Sequence, residues 1–382
     1  MKENLLVIFG GESCEHDISI ISAIQAIKNV DENYYNIIPI YITKSGIMLT
    51  GKKLTELSSF SNFNTSNLTE VSFIVGKNYL YYKTLLGYKQ KVKADVALIV
   101  MHGINGEDGK IMSLLELSKI PYTACSPLQS ELCMDKCVFK DYLKGLKINV
   151  VNGVSVFSYE YALNPETVKN FITDVVGFPL IVKPATLGSS IGIKVCNNVL
   201  ELENALKLAF TYCNKVLIEE FLEDVTEVNL AVLGYENDIT LSVTEQPIKQ
   251  NEFLTFDNKY VGNSAEGMAN LKRIVPADVS TEVSKEIKNI AKRIFTNLNL
   301  KGVVRFDFMV DNKTNKVYVN ELNTIPGSLA YYLFSPININ YKTLINKLIK
   351  FAYVSFDNNN KLIKTFSSSV LDKTELANGV KK

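Results

Sequence analysis

Residues 303–323 read VVRFDFMVDNKTNKVYVNELN, two stretches of alternating apolar and polar residues joined by the turn-rich DNKTNK. Alternation with a period of two is typical of a β-strand, and the short polar connection predicts a hairpin. Arg305 and Asp307 share one face of the first strand, and Glu321 and Asn323 share one face of the second. In any pairing register that turns these faces the same way, the four polar side chains converge.

The converging side chains include hard oxygen ligands, namely the carboxylates of Asp307 and Glu321 and the amide of Asn323. Such ligands suit a divalent cation. They are too few for a complete protein cage, which favours magnesium with water and phosphate oxygens in the remaining positions. The same residues could instead form a solvated strand face with ion pairs to Arg305. The hairpin alone leaves both interpretations open.

The composition is that of a globular protein with almost no net charge. The chain has 382 residues, 47% of them hydrophobic, and 41 basic residues nearly balance 40 acidic ones. This balance predicts no general attraction to nucleic acid or to an anionic membrane. The six cysteines lack a CxxC pair, which predicts reduced thiols. No apolar run approaches the roughly 20 residues of a membrane span, so we expect a cytoplasmic protein.

The order of predicted elements indicates two fold classes. Residues 5–9 and 94–103 are typical of buried strands that end at glycines, and they alternate with helical patterns, which predicts a parallel α/β unit. A short strand is expected after Pro121. From residue 126 on, mixed strands with longer connections predict an α+β arrangement. Helices are expected over about residues 280–298 and 341–352, followed by a polar tail.

A glycine-rich loop follows a predicted strand at VKPATLGSSIG, residues 182–192. Its backbone donors could close over phosphate oxygens, although no Gly-Lys-Ser/Thr follows the glycines and it is therefore not a Walker loop. A plain strand connection would explain the loop alone. Lys183 in this loop, Lys136 in an MDK triplet and the acidic hairpin together favour a site for a phosphorylated ligand.

Eight sequence pieces occur in the order found in one known family: FGGESCEHDIS, MHGINGEDG, LCMDK, VKPATLGSSIG, IEEFLEDVTEV, FDNKY, RFDF and NELNTIPG. Through them the chain resembles the ATP-grasp superfamily and, within it, the D-alanine:D-alanine ligases, up to about residue 355. The resemblance implies a Rossmann-like, pre-ATP-grasp parallel-sheet domain over residues 1–124. A two-lobed ATP-grasp fold would follow, with a central lobe over 125–219 and a C-terminal lobe over 220–355, before a polar tail over 356–382.

The resemblance also implies that ATP is bound together with Mg²⁺ or Mn²⁺. Lys136 and Lys183 match lysines that hold ATP phosphates, Ser190 lies in the phosphate loop, and Lys259 matches a lysine that reaches the γ-phosphate. The implied metal ligands are Asp307, Glu321 and Asn323.

Contacts to the nucleoside are implied within IEEFLEDVTEV. Glu219 and the backbone of Glu220 and Leu222 would meet adenine, and Glu227 would meet ribose. A one-residue gap leaves open which of the two adjacent glutamates is the first. The positions concerned are Glu219, Glu220, Leu222 and Glu227.

Further matches imply the amino-acid end of the site. Glu15 would take the ammonium of the first D-alanine, with Ser189 and Tyr260 as its hydrogen-bonded partners. The carboxylate of that amino acid would attack the γ-phosphate to give an acyl phosphate, which the amine of the second amino acid attacks. Arg305 and the backbone N–H of Gly327 would stabilise the tetrahedral oxyanion.

Some positions depart from the family pattern. Tyr332 stands where the family usually has a serine that helps to bind the second amino acid's carboxylate, and Met112 and Ser113 stand where Gln and Gly are common. The second substrate therefore stays open between D-alanine and D-serine, whereas Tyr260 argues against D-lactate. His102 in the HG pair is expected to be a satisfied core residue more than a catalytic group.

Three functions are compatible with the sequence. A ligase that makes D-alanyl-D-alanine for peptidoglycan is the interpretation we favour. A diverged ligase for other small amino acids would explain the altered Tyr332 position. A non-catalytic nucleotide-binding module is disfavoured, because the lysines and the metal set are intact. The resemblance implies a homodimer that acts on small amino acids, and the balanced charge predicts no nucleic-acid or membrane partner.

Overall fold

Three β-sheets organise the part of the chain that the structure, a computed structural model, describes, residues 2–248 and 273–368. A seven-stranded sheet comes first, a four-stranded sheet follows, and a five-stranded sheet comes last. Within these two ranges, no helix combines the length and the apolarity that crossing a membrane requires.

The N-terminal sheet has a parallel centre. Strand β1 (Glu3–Gly10) lies between β2 (Tyr35–Ile42) and β7 (Val96–Val100) and is parallel to both. Leu5 to Phe9 are fully buried, and a continuous apolar run is typical of strands covered on both faces. Helices α1 (His16–Ile27) and α2 (Lys110–Leu117) complete this unit. The predicted parallel α/β unit is confirmed.

An antiparallel extension lies beside the parallel centre, in a region whose sequence shows no clear periodicity. It gives the sheet the order β6-β5-β4-β3-β2-β1-β7. The short strand predicted after Pro121 is wrong. Tyr122 makes a single bridge to Ala97, because the chain then turns to begin a helix at Pro127. The added strands are β3 (Met48–Thr50), β4 (Thr69–Ile74), β5 (Lys77–Thr84) and β6 (Gly87–Lys93).

The central sheet is antiparallel throughout, with the order β10-β9-β11-β8. Two of its helices bury Ile172 and Leu206 against one face of the sheet. The strands are β8 (Gly153–Phe157), β9 (Leu180–Pro184), β10 (Lys194–Cys196) and β11 (Lys215–Glu220). The helices are α3 (Pro127–Met134), α4 (Lys136–Gly145), α5 (Ser158–Leu163), α6 (Pro165–Val175) and α7 (Val199–Ala209).

The C-terminal sheet has the order β14-β13-β12-β15-β16. Helix α8 (Thr281–Asn297) buries an apolar stripe that includes Ile287 and Ile294 against it, as the sequence predicts. The strands are β12 (Val225–Tyr235), β13 (Asp238–Pro247), β14 (Arg273–Ile274), β15 (Lys301–Asp311) and β16 (Val317–Asn323). Together with the antiparallel central sheet, these strands confirm the predicted α+β arrangement.

The last two α-helices of the described residues are a short one and a long one. Helix α9 (Tyr331–Phe334) precedes α10 (Tyr341–Asn360), which continues past the predicted end at residue 352. The extension is held to the protein body because the Tyr353 hydroxyl donates to Glu3 and the Asn358 amide donates to Glu236. Residues 356–360, predicted to begin the polar tail, are therefore helical.

The predicted hairpin of β15 and β16 is confirmed, and its register places polar residues directly opposite one another. Arg305 faces Asn323, and Asp307 faces Glu321. The register then shifts, so that Phe308 pairs with Val319 and Asn320 becomes the extra residue of a β-bulge.

Lys301 connects the C-terminal sheet to the N-terminal unit inside the protein. Its Nζ donates to the Tyr122 carbonyl at 3.0 Å and lies 4.0 Å from the centre of the Tyr122 ring. Burial lowers the pKa of Lys301 to about 8, and the nearby Cys125 and Glu116 offset this only in part. A buried amine with a lowered pKa makes stability depend on pH.

Replacing Lys301 with methionine is expected to lower the slope of the free energy of unfolding against pH in alkali. The ordinary pKa of 10.5 falls to about 8 in the folded protein, so between these values the unfolded chain binds more protons at this site. The contribution of Lys301 to the free energy of unfolding therefore rises with pH across this window, by at most about 1.4 kcal/mol per pH unit. Urea denaturation at several pH values within the window measures the slope. Exposed Lys285 on α8, also changed to methionine, is the control. A slope for Lys301→Met equal to that of the parent would contradict the assignment.

Candidate active site

A cavity of about 850 Å³ lies where the three sheets meet. The central and C-terminal sheets face each other across it, and the loops after β1 and β7 close one end. Two predicted residues, Lys259 and Tyr260, lie outside the described residues. The other predicted site residues all line the cavity: Glu15, Lys136, Lys183, Ser189, Ser190, Glu219, Glu220, Leu222, Glu227, Arg305, Asp307, Glu321, Asn323 and Gly327.

The hairpin supplies a compact acidic group on the cavity wall. Arg305 forms a bidentate ion pair with Asp307, with Nε–Oδ1 at 2.6 Å and Nη2–Oδ2 at 2.7 Å. The Asn323 amide donates to the same carboxylate at 3.2 Å. Glu321, directly opposite Asp307, lies 3.5 Å from the Nζ of Lys136. The predicted convergence of these side chains is confirmed, with Arg305 beside them.

The bulge adds Asn320 to the cavity wall, a residue that the alternating pattern places on the other face. The Asn320 amide oxygen accepts from Lys183 Nζ at 3.2 Å. A signal was present in the sequence, because the buried residues of this strand, Val317, Val319 and Leu322, change their spacing from two to three. Asn320 is thus a site residue that the sequence prediction missed.

Two lysines converge on Glu219 in the interior. Lys183 Nζ lies 2.8 Å from one carboxylate oxygen, and Lys140 contacts the other. Burial disfavours the charge on Glu219, but attraction to Lys183 and Lys140 outweighs it and lowers the pKa of the carboxyl group. Sequence reasoning missed Lys140, although it lies one helical turn after Lys136 and so on the same face of α4.

Lys136 links the hairpin to the glycine-rich loop. It is the first residue of α4, and the side chain of Asp135 caps that helix by accepting from the N–H groups of Cys137 and Val138. The Nζ of Lys136 donates to the carbonyl of Leu187 at 2.5 Å, as well as lying near Glu321. This lysine is therefore held from two sides.

The segment between β11 and β12 forms an apolar part of the wall. Phe221 and Leu222 line it from this segment, Ile181 from β9 and Met309 from β15. The carboxylate of Glu220 accepts from the Asn152 amide at 2.9 Å. These four apolar side chains define the apolar slot of the cavity wall.

At the N-terminal end, the carboxylate of Glu15 lies between two glycine backbones and accepts a hydrogen bond from Ser189. A Cβ on Gly188 would come within 3.0 Å of Glu15 Oε2, and one on Gly103, whose φ is +73°, would come within 2.9 Å of it. The positive φ at Gly103 favours glycine there, and the lack of a side chain at both positions leaves room for the Glu15 carboxylate.

His102 and Glu107 fix the backbone at Ile325. His102 Nδ1 lies 2.8 Å from the Ile325 carbonyl, and Nε2 lies 2.9 Å from Ser22 Oγ. Glu107 accepts the N–H groups of Ile325 and Gly103 at 3.0 and 2.9 Å. His102 is thus buried with both ring nitrogens engaged, as expected.

The protonation states in this group follow from burial. Burial lowers the pKa of His102, so the imidazole is neutral, and the Ile325 carbonyl requires its proton on Nδ1. Nε2 then accepts from the Ser22 hydroxyl. Burial, with the nearby charge of Glu15, raises the pKa of Glu107 to about 8.

The turn after Gly327 is held in a left-handed conformation. Ser328, Leu329 and Ala330 have φ values of 51°, 51° and 48°. Non-glycine residues pay roughly 1–2 kcal/mol each for this geometry. The Ser328 N–H donates to Ser22 Oγ at 3.1 Å, and its hydroxyl donates to Gln25 at 2.7 Å. Helix α1 therefore holds the turn in place.

Tyr332 belongs to a second polar group, which sequence reasoning did not identify. Its hydroxyl donates to Glu245 at 3.1 Å, and the Arg273 guanidinium lies 4.2 Å from its ring centre. Arg273 Nη1 lies 2.8 Å from Glu245, and the Asn229 amide donates to Glu245 at 3.0 Å. Burial raises the pKa of Tyr332, so the phenol is un-ionised.

Comparisons with known proteins cover almost the whole chain. A family profile described as D-ala D-ala ligase N-terminus matches residues 4–125, and one described as D-ala D-ala ligase C-terminus matches residues 142–350. The D-alanine–D-alanine ligase of Thermosipho africanus is 38% identical over 374 residues, 97% of this chain and 98% of that protein. The D-alanine–D-alanine ligase of Caldicellulosiruptor bescii is 36% identical, over 92% of this chain and 95% of that protein.

Solved structures agree with this assignment. The D-alanine–D-alanine ligase from Coxiella burnetii superposes with a TM-score of 0.80 at 26% identity, over 95% of this chain and 97% of that one. The VanG D-Ala:D-Ser ligase from Enterococcus faecalis gives a TM-score of 0.76 at 29% identity, over 92% and 100%. The expected Rossmann-like unit followed by an ATP-grasp fold is confirmed. The chain belongs to the D-alanine–D-alanine ligase family of ATP-dependent ligases.

Proposed function

We propose that this protein joins two D-alanines into D-alanyl-D-alanine, a peptidoglycan precursor, at the expense of ATP. One observation carries the proposal. A single cavity holds a carboxylate suited to an ammonium group, Glu15 with Ser189, and a cluster of cations and acids suited to metal-bound phosphates, Lys136, Lys183 and Asp307. Relatives that match nearly the full chain are named D-alanine–D-alanine ligase.

The phosphates of ATP would bind between Lys136, Lys183 and the loop around Ser190. Each lysine is already held by a carboxylate, Glu321 or Glu219, so phosphates would meet cations in fixed positions. Lys259 would approach the γ-phosphate from the segment outside the described residues. Such fixed charges stabilise phosphoryl transfer without reorganisation.

The nucleoside would occupy the apolar slot between β9 and β15. Both carboxylate oxygens of Glu219 are engaged by Lys140 and Lys183. Adenine would therefore contact the backbone of Glu220 and Leu222 and not the Glu219 carboxylate. Glu227 on β12 would meet the ribose.

A divalent cation fits the hairpin acids. Asp307 and Glu321 face each other across the strand pair, and Asn323 adds an amide next to them. Among the residues in the described ranges, no group of three or more His, Cys, Asp or Glu side chains is arranged to hold a metal ion by itself. Phosphate oxygens and water would therefore complete the shell of Mg²⁺ or Mn²⁺. When bound, the ion neutralises phosphate charge.

The remaining residues position the reacting atoms. Glu15 would orient the first amino acid by its ammonium group, so that its carboxylate oxygen attacks the γ-phosphorus and ADP leaves. The neutral amine of the second amino acid then attacks the acyl carbon, and phosphate leaves with the C–O electron pair and takes up the proton that the nitrogen loses. Arg305 and the Gly327 N–H would stabilise the oxyanion of the tetrahedral intermediate. Catalysis of this kind rests on orientation and charge, without a protein nucleophile.

D-Alanine:D-serine ligation is the second candidate. Tyr332 replaces the serine usual in the family, and the chain superposes on the VanG D-Ala:D-Ser ligase over most of its length. A diverged ligase for other small amino acids, or a nucleotide-binding module without turnover, are the further alternatives that the assay below separates.

We also infer the organisation of the molecule. The sheets support an N-terminal domain over residues 1–124, a central lobe over 125–219 and a C-terminal lobe from 220, with the last boundary moved to Asn360 because α10 extends there. A cytoplasmic homodimer is proposed from family membership.

The purified protein is expected to release phosphate from ATP and Mg²⁺ when D-alanine is the only amino acid, with a product of the mass of D-alanyl-D-alanine. Phosphate release and product mass are measured together, with D-alanine alone and with D-alanine plus D-serine or D-lactate. Turnover only with D-serine present would favour the second candidate. Retained ATP binding without turnover on any pair would contradict the ligase function.

Replacing Glu321 with glutamine is expected to raise the Mg²⁺ concentration for half-maximal turnover by about tenfold or more, because a neutral amide is a weaker ligand for a hard cation. The turnover rate is measured at increasing Mg²⁺ concentrations with saturating ATP. Exposed Glu286 on α8, changed in the same way, is the control. An unchanged Mg²⁺ requirement in Glu321→Gln would argue against a metal at the hairpin.

A further inference from the structure

Arg273 is a cation on the cavity wall that takes no part in the proposed contacts to phosphate or metal. Among the described residues that line the cavity, the lysines and arginines are Lys136, Lys183, Arg273 and Arg305. Lys136 and Lys183 lie beside the glycine-rich loop, and Arg305 belongs to the acidic hairpin. Arg273 stands apart on β14, at the opposite edge of the C-terminal sheet from β16.

Several contacts fix the guanidinium of Arg273. It lies over the Tyr332 ring at 4.2 Å from the ring centre and pairs with Glu245 at 2.8 Å. The side chains of Arg273 and Glu245 are only 12% and 3% exposed. Glu245 is itself held by the Tyr332 hydroxyl and the Asn229 amide. An arginine fixed in this way loses little conformational freedom when it binds a ligand.

The strand register locates this group relative to the reacting centre. Glu245 pairs with Asn229, Asn229 pairs with Asp307, and Asp307 pairs with Glu321, so these residues form one row across four strands. The phosphate lysines lie at the Glu321 end of the row, and Arg273 lies at the Glu245 end. Tyr332, under Arg273, belongs to the same short segment as Gly327. Arg273 therefore lies at the opposite end of this row from Lys136 and Lys183.

We propose that Arg273 binds the α-carboxylate of the second amino acid, and that Tyr332 and Glu245 act as positioning residues for its guanidinium. This inference rests on the proposed ligase function. The second amino acid must bring a neutral amine to the acyl carbon while its own carboxylate enters a partly dehydrated cavity. A buried carboxylate requires a partner of opposite charge, and a guanidinium matches its two oxygens.

The proposed role of Arg273 also accounts for the tyrosine at position 332. The tyrosine hydroxyl donates its proton to Glu245, so it serves Glu245 and not a substrate carboxylate. Its ring provides the flat surface on which a guanidinium stacks. The site thus selects acceptors that carry a free carboxylate, and it discriminates against the corresponding carboxamides.

A competition between two acceptors tests the proposal. The full-length enzyme receives ATP, Mg²⁺, D-alanine and D-alanine amide, and the masses of D-alanyl-D-alanine and D-alanyl-D-alanine amide give a product ratio. The parent enzyme is expected to form mainly the acid. Arg273→Met is expected to shift the ratio towards the amide by about tenfold or more, because it removes a charge-assisted contact that only the acid uses fully. The same substitution at exposed Arg293 on α8 is the control and leaves the ratio unchanged.

Further variants keep the test decisive if Arg273→Met folds poorly. Arg273→Gln retains a donor for Glu245 without the charge, and its ratio is expected to shift in the same direction. Tyr332→Phe keeps the ring and is expected to stay near the parent ratio, whereas Tyr332→Ala is expected to move towards Arg273→Met. An unchanged ratio in whichever Arg273 variant turns over would overturn the role of Arg273 and leave the ligase function intact. A parent enzyme that makes neither product overturns the ligase function itself.

Discussion

Arg305 and Asp307, two residues apart on β15, form a bidentate ion pair on the cavity wall. The pair illustrates the main constraint on the site, which is that a buried charge needs a partner of opposite charge. A charge removed from water costs several kcal/mol unless a partner compensates it. In the described part of the chain, each cation on the cavity wall has a carboxylate partner. The pairs are Arg305–Asp307, Lys136–Glu321, Lys183–Glu219 and Arg273–Glu245.

One of these pairs, Lys136–Glu321, and a further hydrogen bond of Lys183 connect the central unit to the C-terminal sheet. Lys183 is on the central sheet, and it contacts Asn320 on the C-terminal sheet. Lys136 begins a helix beside the central sheet and reaches Glu321 on β16. When a phosphorylated substrate binds, Lys136 and Lys183 would therefore exchange contacts with carboxylates for contacts with phosphates. Both lysines already line the cavity, so binding would not require them to be gathered from solvent-exposed positions.

The turn after Gly327 depends on a second constraint, which comes from the N-terminal unit. Three consecutive left-handed residues are unfavourable, and they persist only where the surroundings determine them. Ser22 and Gln25 on α1 hold Ser328, while His102 and Glu107 hold Ile325. The neutral state of His102 is part of this arrangement, since Nε2 must accept from Ser22 for the chain of hydrogen bonds to close.

The sequence by itself determined many of the local elements, but not the antiparallel strands between residues 48 and 93 or the single bridge at Tyr122. Alternation in residues 303–323 predicted the hairpin and its polar face, apolar runs predicted the parallel strands, and the resemblance placed the chain in its family. The roles of the individual site residues remain predictions. Only the tertiary structure revealed the contact of Asn320 with Lys183, the pairing of Lys140 with Glu219, and the group formed by Glu245, Arg273 and Tyr332. The reason is physical, because periodicity records which face of an element is buried, whereas partners far apart in sequence are set by strand register and packing between sheets.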